Sequence, residues 1–538
     1  MKILVGKQWK NDFLDYHRSK KEYRIQVLAW KNLEKIEDAY YIRPKSLKMA
    51  LRYLPVVGPY GLFTKAWSRW REQRRNDKYV SCGIGKIIET GDNSEFKVDD
   101  IVAFIAPFHP RVVERLTLPQ EFIFYIDKTI LPQLPSKEIL LYPLEQENIS
   151  NQWWEEIISW SIYSGRDVSE ELRKKLEDGL IKEIKDTNWN DCEKFDIKIP
   201  TEIKEIKGEV KKLDSRKTGV LFGFGNYAKT NIISFMKPFV NITTIHEIDP
   251  TQIWERSAQK WDTVPLPRDN EKYDVYFVAS YNHTHAPIAL YALKQGAYAV
   301  VEKPVAMDYG ELEEIEKTLK EVGPKVFIGF HKRYSIFNDW AFEDLNVKHG
   351  EPISYHSIVY EISQPKYFWY TWPVSRSTFL ANGCHQIDHF LCLNNFSKPK
   401  DFDIKLLQDN AIEVWIELEN GAVFTTTFSE KGSTRIGPRD HVELKVPGRN
   451  VRITDNISYL SEDESRIIRK KKMFKTNSYR NMYLKIGAKI ANNEDGDSIE
   501  SIMVSTKLML DLEEKLQKMK GWGDRYIKAK ERFWGYFK

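Results

Sequence analysis

Between residues 218 and 330, short apolar runs alternate with segments of helical pattern, and nothing else in the 538 residues restricts the fold as tightly. TGVLFGFG, NITTIHEID, YDVYFVAS, YAVVEKP and KVFIGF read as strands; HTHAPIALYALKQG and the charged stretch 309–322 read as helices between them. Strands separated by helices of ordinary length pair in parallel through crossovers. This region is therefore expected to form a doubly wound α/β sheet.

The flanks read differently. After residue 331, ISYHSIVYEI alternates with period 2, Asn420-Gly421 sits between two alternating runs, and Pro447-Gly448 joins HVELKV to VRI. That pattern predicts an α+β domain with an open antiparallel sheet covered on one face. Before residue 200, β-branched runs at 85–88 and 101–104 flank a polar turn, which suggests antiparallel β structure. Residues 152–186 are helical by pattern, with Trp154, Ile157, Ile158 and Ile162 at the apolar positions. The Lys- and Glu-rich stretch 204–217 is the best linker. The expected division is a mainly-β domain with a helical extension at 1–200, a linker at 201–217, the α/β domain at 218–335, the α+β domain at 336–510 and a helical tail at 511–538.

Composition removes several function classes. With 82 Lys and Arg against 77 Asp and Glu, the net charge of +5 gives no basic field of the kind nucleic-acid binders carry. The four cysteines, Cys82, Cys192, Cys384 and Cys392, form neither a zinc signature nor a disulfide framework. No run of eighteen apolar residues marks a membrane span, and the N-terminus does not read as a signal peptide. The expectation is a reduced, cytoplasmic, multidomain protein. The basic aromatic end of the tail, 525–538, is read as a solvated helix, with contact to a membrane or a partner as the alternative.

One motif supplies a ligand. Gly223-Phe224-Gly225-Asn226-Tyr227-Ala228 has the form G-x-G-x-x-A where the first strand should turn into the first helix. There Gly223 permits a tight turn, Gly225 lets a pyrophosphate approach the backbone, and Ala228 keeps the helix close to the strand. Glu247 ends the second strand nineteen residues beyond Ala228, where an acid can take the ribose hydroxyls of a dinucleotide. An acid there would repel a 2′-phosphate, so NAD is expected in preference to NADP.

Further motifs follow in order: Ser280-Tyr281-Asn282-His283-Thr284-His285, then Glu302-Lys303-Pro304, then Arg333 after GFHK, and Gly383-Cys384-His385-Gln386-Ile387-Asp388. Taken together over about 216–510, they resemble the Gfo/Idh/MocA family of oxidoreductases. The resemblance implies a Rossmann domain followed by an α+β domain that carries the substrate site and often an oligomer interface. It also implies hydride exchange between a nicotinamide and a sugar or polyol carbon, so a sugar or nucleotide sugar is the expected substrate and a homo-oligomer the expected assembly. On this resemblance Lys303 lies near the nicotinamide and the reacting hydroxyl, and His385 is the acid/base candidate. Ser280, Asn282, His285, Glu302 and Pro304 join the cofactor set, with His283 and His285 shaping its pocket, while Arg333 and Asp388 join the substrate set. Elementary chemistry agrees: alcohol oxidation needs a base of intermediate pKa, and an ammonium steadies a developing alkoxide.

One position departs from the family. Many of its dehydrogenases carry an Asp four residues before the histidine, and here that residue is Ala381. Either Asp388 or Glu361 substitutes, or His385 works alone, or the reaction is not plain alcohol oxidation. Tyr367 and Trp369, in an aromatic loop, are candidate sugar-stacking residues, with a packed loop or subunit contact as the alternative. The stretch 80–135 resembles the GroES-like domain of medium-chain alcohol dehydrogenases. Ahead of a Gfo/Idh/MocA unit, this arrangement is similar to two-part oxidoreductases of surface-polysaccharide loci. The zinc-binding pattern of that domain is absent, so no metal is expected. The rival functions are an NAD-binding regulator or scaffold that lost catalysis, and a redox-assisted epimerase or eliminase without net NADH.

Overall fold

The computed structural model describes most of residues 216–537, apart from 248–259, 263–264, 270, 364–369, 371–372, 433–438 and 524. Before residue 216 it describes segments 2–5, 8–11, 15–16, 22–34, 54–64, 66–67, 79–90, 96–106, 113–119, 123–125 and 193–198. The proposed linker and the helical pattern at 152–186 lie outside the described residues, except for 216–217.

The predicted α/β domain is a parallel sheet. Its strands run in the order Val326–Ile328, Tyr298–Val301, Val275–Val278, Lys217–Phe222, Val240–His246, Lys260–Asp262 and Asp15–Tyr16. The first strand in sequence from this domain, Lys217–Phe222, lies between the second and the fourth, so the strand order reverses at its C-terminal end. In open α/β sheets such a reversal opens the crevice where ligands bind. Runs such as Val275–Val278 are buried along their whole length, as strands covered on both faces must be. The seventh strand was not foreseen: Asp15–Tyr16, from the start of the chain, pairs in parallel with Lys260–Asp262.

The second domain has an eight-stranded sheet, and the two turn signals place its hairpins. Ile412–Leu418 pairs antiparallel with Val423–Gly432 across Gly421 (φ +86°), and Asp440–Val446 with Arg449–Thr454 across Gly448 (φ +72°). The sheet is mixed rather than wholly antiparallel. Its central strand, Ser354–Ile362, runs parallel to Val423–Gly432 because helix Cys384–Leu393 intervenes as a crossover before the hairpin. One face packs into a core that includes Phe390, Leu391, Leu444 and Leu512, whereas Ile358, Tyr360 and Trp415 lie on the exposed face.

In the N-terminal region, Tyr79–Thr90 pairs antiparallel with both Glu22–Glu34 and Ile101–Ala106, within a six-stranded sheet. The tail helix Arg525–Phe537 is not a free solvated element. Lys530 pairs with Asp308 and Glu311, and the Arg376 guanidinium lies 4.2 Å from the Tyr526 ring.

Candidate active site

The glycine turn is built at the reversal point. Gly223 has φ +85°, and its N–H donates to His246 O (2.8 Å). A Cβ on it would lie 2.4 Å from Ala279 O, so any side chain would collide with the neighbouring strand end. A Cβ on Gly225 would meet nothing within 4 Å, the clearance a phosphate group needs to reach this backbone. The helix that follows starts with a π segment, Ala228–Ile232, with Ala228 buried beneath it. Glu247 closes the turn from the second strand, where its carboxylate accepts the Phe224 N–H (2.6 Å). These features fit a dinucleotide: a turn open to phosphate, with a carboxylate fixed at the ribose position.

The next motif lies at the end of Val275–Val278. Ser280 Oγ and Thr284 Oγ1 are 2.6 Å apart, and His285 places Nδ1 2.8 Å from Pro304 O and Nε2 3.2 Å from Ser280 O, its single N–H as a neutral ring donating to one of the two carbonyls. His285 thus joins the 280s turn to the Glu302-Lys303-Pro304 turn. Burial pushes His285 down to about 4, which keeps the imidazole neutral. Asn282 is 2% exposed, and its Nδ2 has no partner among the described residues. An orphaned buried donor beside a ligand crevice is a further reason to expect a bound group there.

Lys303 leaves the Rossmann sheet and reaches the second domain. Its Nζ donates to Ala381 O (2.7 Å) and to Asn382 Oδ1 (3.3 Å). Ala381 lies four residues before His385, on the π segment Phe379–Gly383 that leads into helix Cys384–Leu393. The ammonium is therefore held one helical turn from the imidazole by a backbone carbonyl. His385 Nδ1 is buried with no hydrogen-bond partner among the described residues. Burial first, and Lys303 next, push its pKa well below the ordinary value.

Two expected substrate ligands bind each other. Arg333 and Asp388 form a buried bidentate pair, with Nε–Oδ2 at 2.9 Å and Nη2–Oδ1 at 2.6 Å. Ser505 Oγ donates to the same carboxylate (2.7 Å), and Asp497 lies 3.5 Å from Arg333 Nη1. The pair locks helix Cys384–Leu393 to its surroundings. Glu361 is bound to Arg439, as Asp388 is to Arg333. Tyr367 and Trp369 lie outside the described residues. Among the described residues no group of three or more His, Cys, Asp or Glu could hold a metal ion.

The sequence reading missed one contribution. Helix Thr476–Ala491 returns from the second domain and lays two tyrosines across the cofactor crevice. Tyr483 donates to the buried Glu302 (3.0 Å) and bonds Tyr227 (3.1 Å). The Tyr479 ring lies 4.1 Å from His331, whose own ring is 4.8 Å from His385. The i, i+4 spacing of Tyr479 and Tyr483 marks one helix face, but nothing in the chain says what that face meets.

Residues 218–330 match the Gfo/Idh/MocA model, described as an oxidoreductase family with an NAD-binding Rossmann fold. Among solved structures, the chain is similar to aldose–aldose oxidoreductase from Caulobacter crescentus (12% identity, 56% of this chain and 98% of that one, TM-score 0.48). It is also similar to scyllo-inositol dehydrogenase from Lactobacillus casei (15% identity, 56% and 98%, TM-score 0.46). A third is UDP-N-acetylglucosamine 3-dehydrogenase from Acidithiobacillus ferrooxidans (14% identity, 56% and 97%, TM-score 0.45). No curated protein matches the chain.

Proposed function

We propose that the chain is an NAD(H)-dependent oxidoreductase that transfers hydride to or from a CH–OH carbon of a sugar or nucleotide sugar. The observation that carries this reading is the anchoring of Lys303 on the carbonyl of Ala381, one turn before His385. It joins the dinucleotide crevice of one domain to a titratable side chain of the other. Bound NAD would supply the hydride acceptor or donor. Gly223, Gly225, Glu247 and Asn282 would hold it, with Glu247 favouring the unphosphorylated ribose of NAD over NADP.

In the oxidation direction, His385 Nε2 receives the hydroxyl proton while the Lys303 ammonium hydrogen-bonds the same oxygen as negative charge develops on it. Reduction reverses both transfers. His385 is held neutral, which is the state a base requires. The cations around it make it a weak base, so Lys303 must carry more of the stabilisation. Replacing Lys303 by Met should lower turnover at least ~100-fold, the scale of a lost electrostatic stabiliser, while NADH titration gives an unchanged Kd. Retained turnover in that variant would sink the mechanism.

The unpartnered Nδ1 of His385 and the presence of Ala381 favour one second reading, a cofactor-binding scaffold without catalysis. Firm NADH binding with no hydride transfer across a sugar panel, deuterium exchange included, would select it.

The N-terminal region is proposed to be a GroES-like domain separated from any nucleotide domain of its own, a reading supported by its antiparallel strands. Surface-polysaccharide synthesis in the cytoplasm is proposed on this domain order. The membrane enters that reading through no described helix, since none is long and apolar enough to cross one. Self-association through the exposed sheet face that bears Ile358, Tyr360 and Trp415 completes the proposal, and sedimentation of Trp415→Lys tests it.

A further inference from the structure

A base that accepts a proton at His385 Nε2 must keep its own proton on Nδ1. That Nδ1 is buried and has no hydrogen-bond partner among the described residues. Ala381, one turn back, has no side-chain acceptor to offer, and Lys303 already takes its carbonyl (2.7 Å). A buried donor left without an acceptor is costly, and at a base it also leaves the tautomer unset.

Two rings stand beside His385 among the described residues. Phe330, 6.2 Å away between ring centres, has nothing to accept with, whereas His331, at 4.8 Å, has. The bonds around His331 tell which of its nitrogens is the acceptor. Ser478 Oγ lies 3.1 Å from His331 Nδ1, accepts from Asn456 Nδ2 (2.8 Å) and donates to Lys475 O (3.3 Å). While its one proton serves Lys475 O and one lone pair serves Asn456, the hydroxyl offers His331 only its second lone pair. His331 then carries its proton on Nδ1 and keeps a lone pair at Nε2. Burial first, then Lys332, Lys475, Lys303 and His389, push His331 well below the ordinary histidine range, so the ring is neutral. The Tyr479 ring, 4.1 Å away, packs against the same imidazole.

We propose that His331 is the positioning residue of His385: after a turn of the His385 ring, His331 Nε2 accepts its Nδ1–H and fixes the tautomer whose Nε2 is the base. This rests on the oxidoreductase reading above. At 4.8 Å between centres such a turn is enough to bring a nitrogen of one ring within hydrogen-bond reach of the other. The chain Asn456–Ser478–His331–His385 would thus supply, from two other elements, the acceptor that the side chain of Ala381 lacks. A neutral acceptor orients the ring without the charge of a carboxylate, in keeping with the weak base described above.

The test has two arms, both on the full chain. Nitrogen NMR of histidine-labelled protein at pH 7 reads the tautomer, with the His385 signals assigned by their loss in His385→Gln. Wild-type protein should carry the His385 proton on Nδ1. In His331→Phe, which keeps a flat ring against Tyr479, the proton should move to Nε2, and His331→Gln, whose amide oxygen can accept, should return it. In the kinetic arm, His331→Phe should lower kcat at least ~10-fold with little change in KM or in the Kd of NADH, and His331→Gln should recover most of the loss. A wild-type His385 protonated on Nε2 overturns the proposal, as does a tautomer unchanged in His331→Phe. So does a kcat loss that His331→Gln fails to recover. A His331-dependent tautomer in a protein that never transfers hydride would remove the dehydrogenase reading and leave the histidine pair standing.

Discussion

His385 and its surroundings carry the sharpest consequences at the scale of single residues. Burial and Lys303 depress its pKa, so its neutral form persists below the ordinary histidine range. Oxidation needs that neutral form. The acid limb of kcat/KM in the oxidation direction should therefore fall below pH 6.5, and a limb at or above that value would contradict the environment described. Asp388 gives a second residue-scale test. Replacing it by Ala takes the bidentate partner from the buried Arg333 and leaves it only Asp497 at 3.5 Å, and should cost about 3 kcal/mol of stability in denaturant unfolding. A substrate ligand would instead raise KM at unchanged stability. The motif spacing made the positions of both residues legible. It could not distinguish their roles, because a G-x-H-x-x-D pattern says nothing of Arg333, fifty-five residues away, which takes both oxygens of Asp388.

At the scale of elements, the glycine turn and the returning helix decide the crevice. Gly223→Ala places a methyl group against Ala279 O at a left-handed φ, and should weaken NADH binding at least ~10-fold with some loss of stability. Gly487 is less conspicuous in the sequence and as closely packed. A Cβ there would lie 2.2 Å from Phe239 Cδ2, so Gly487→Ala should push helix Thr476–Ala491 off the Rossmann domain at a cost of about 1–3 kcal/mol. Near-wild-type thermal unfolding of that variant would mean that the helix is not seated as described. The first glycine could be read from its motif. The second could not, since its requirement comes from a phenylalanine distant in the chain.

Across the whole molecule, several histidines are buried neutral. Burial pushes His285 down to about 4 and His283 and His389 to about 3, each below the unfolded value of ~6.5. The unfolded chain then binds more protons below pH 6.5, so stability is intact above that pH and is lost as pH falls toward 4, at about 1.4 kcal/mol per pH unit for each such group. Chemical denaturation of wild type and of His389→Gln at pH 7, 6 and 5 checks this: the loss of stability toward pH 5 should be shallower in the variant, and an identical slope would rule out a buried neutral His389. What the sequence determined by itself was whatever short-range periodicity controls: the parallel α/β unit, the two hairpins at Asn420-Gly421 and Pro447-Gly448, and the dinucleotide turn. Each of these depends on a few neighbouring residues and their backbone freedom. Tertiary structure alone decided that residues 15–16 extend the Rossmann sheet and that Lys303 binds the carbonyl of Ala381. Those outcomes hinge on which distant surfaces meet, and pairwise contacts across hundreds of residues leave no periodic trace in the chain.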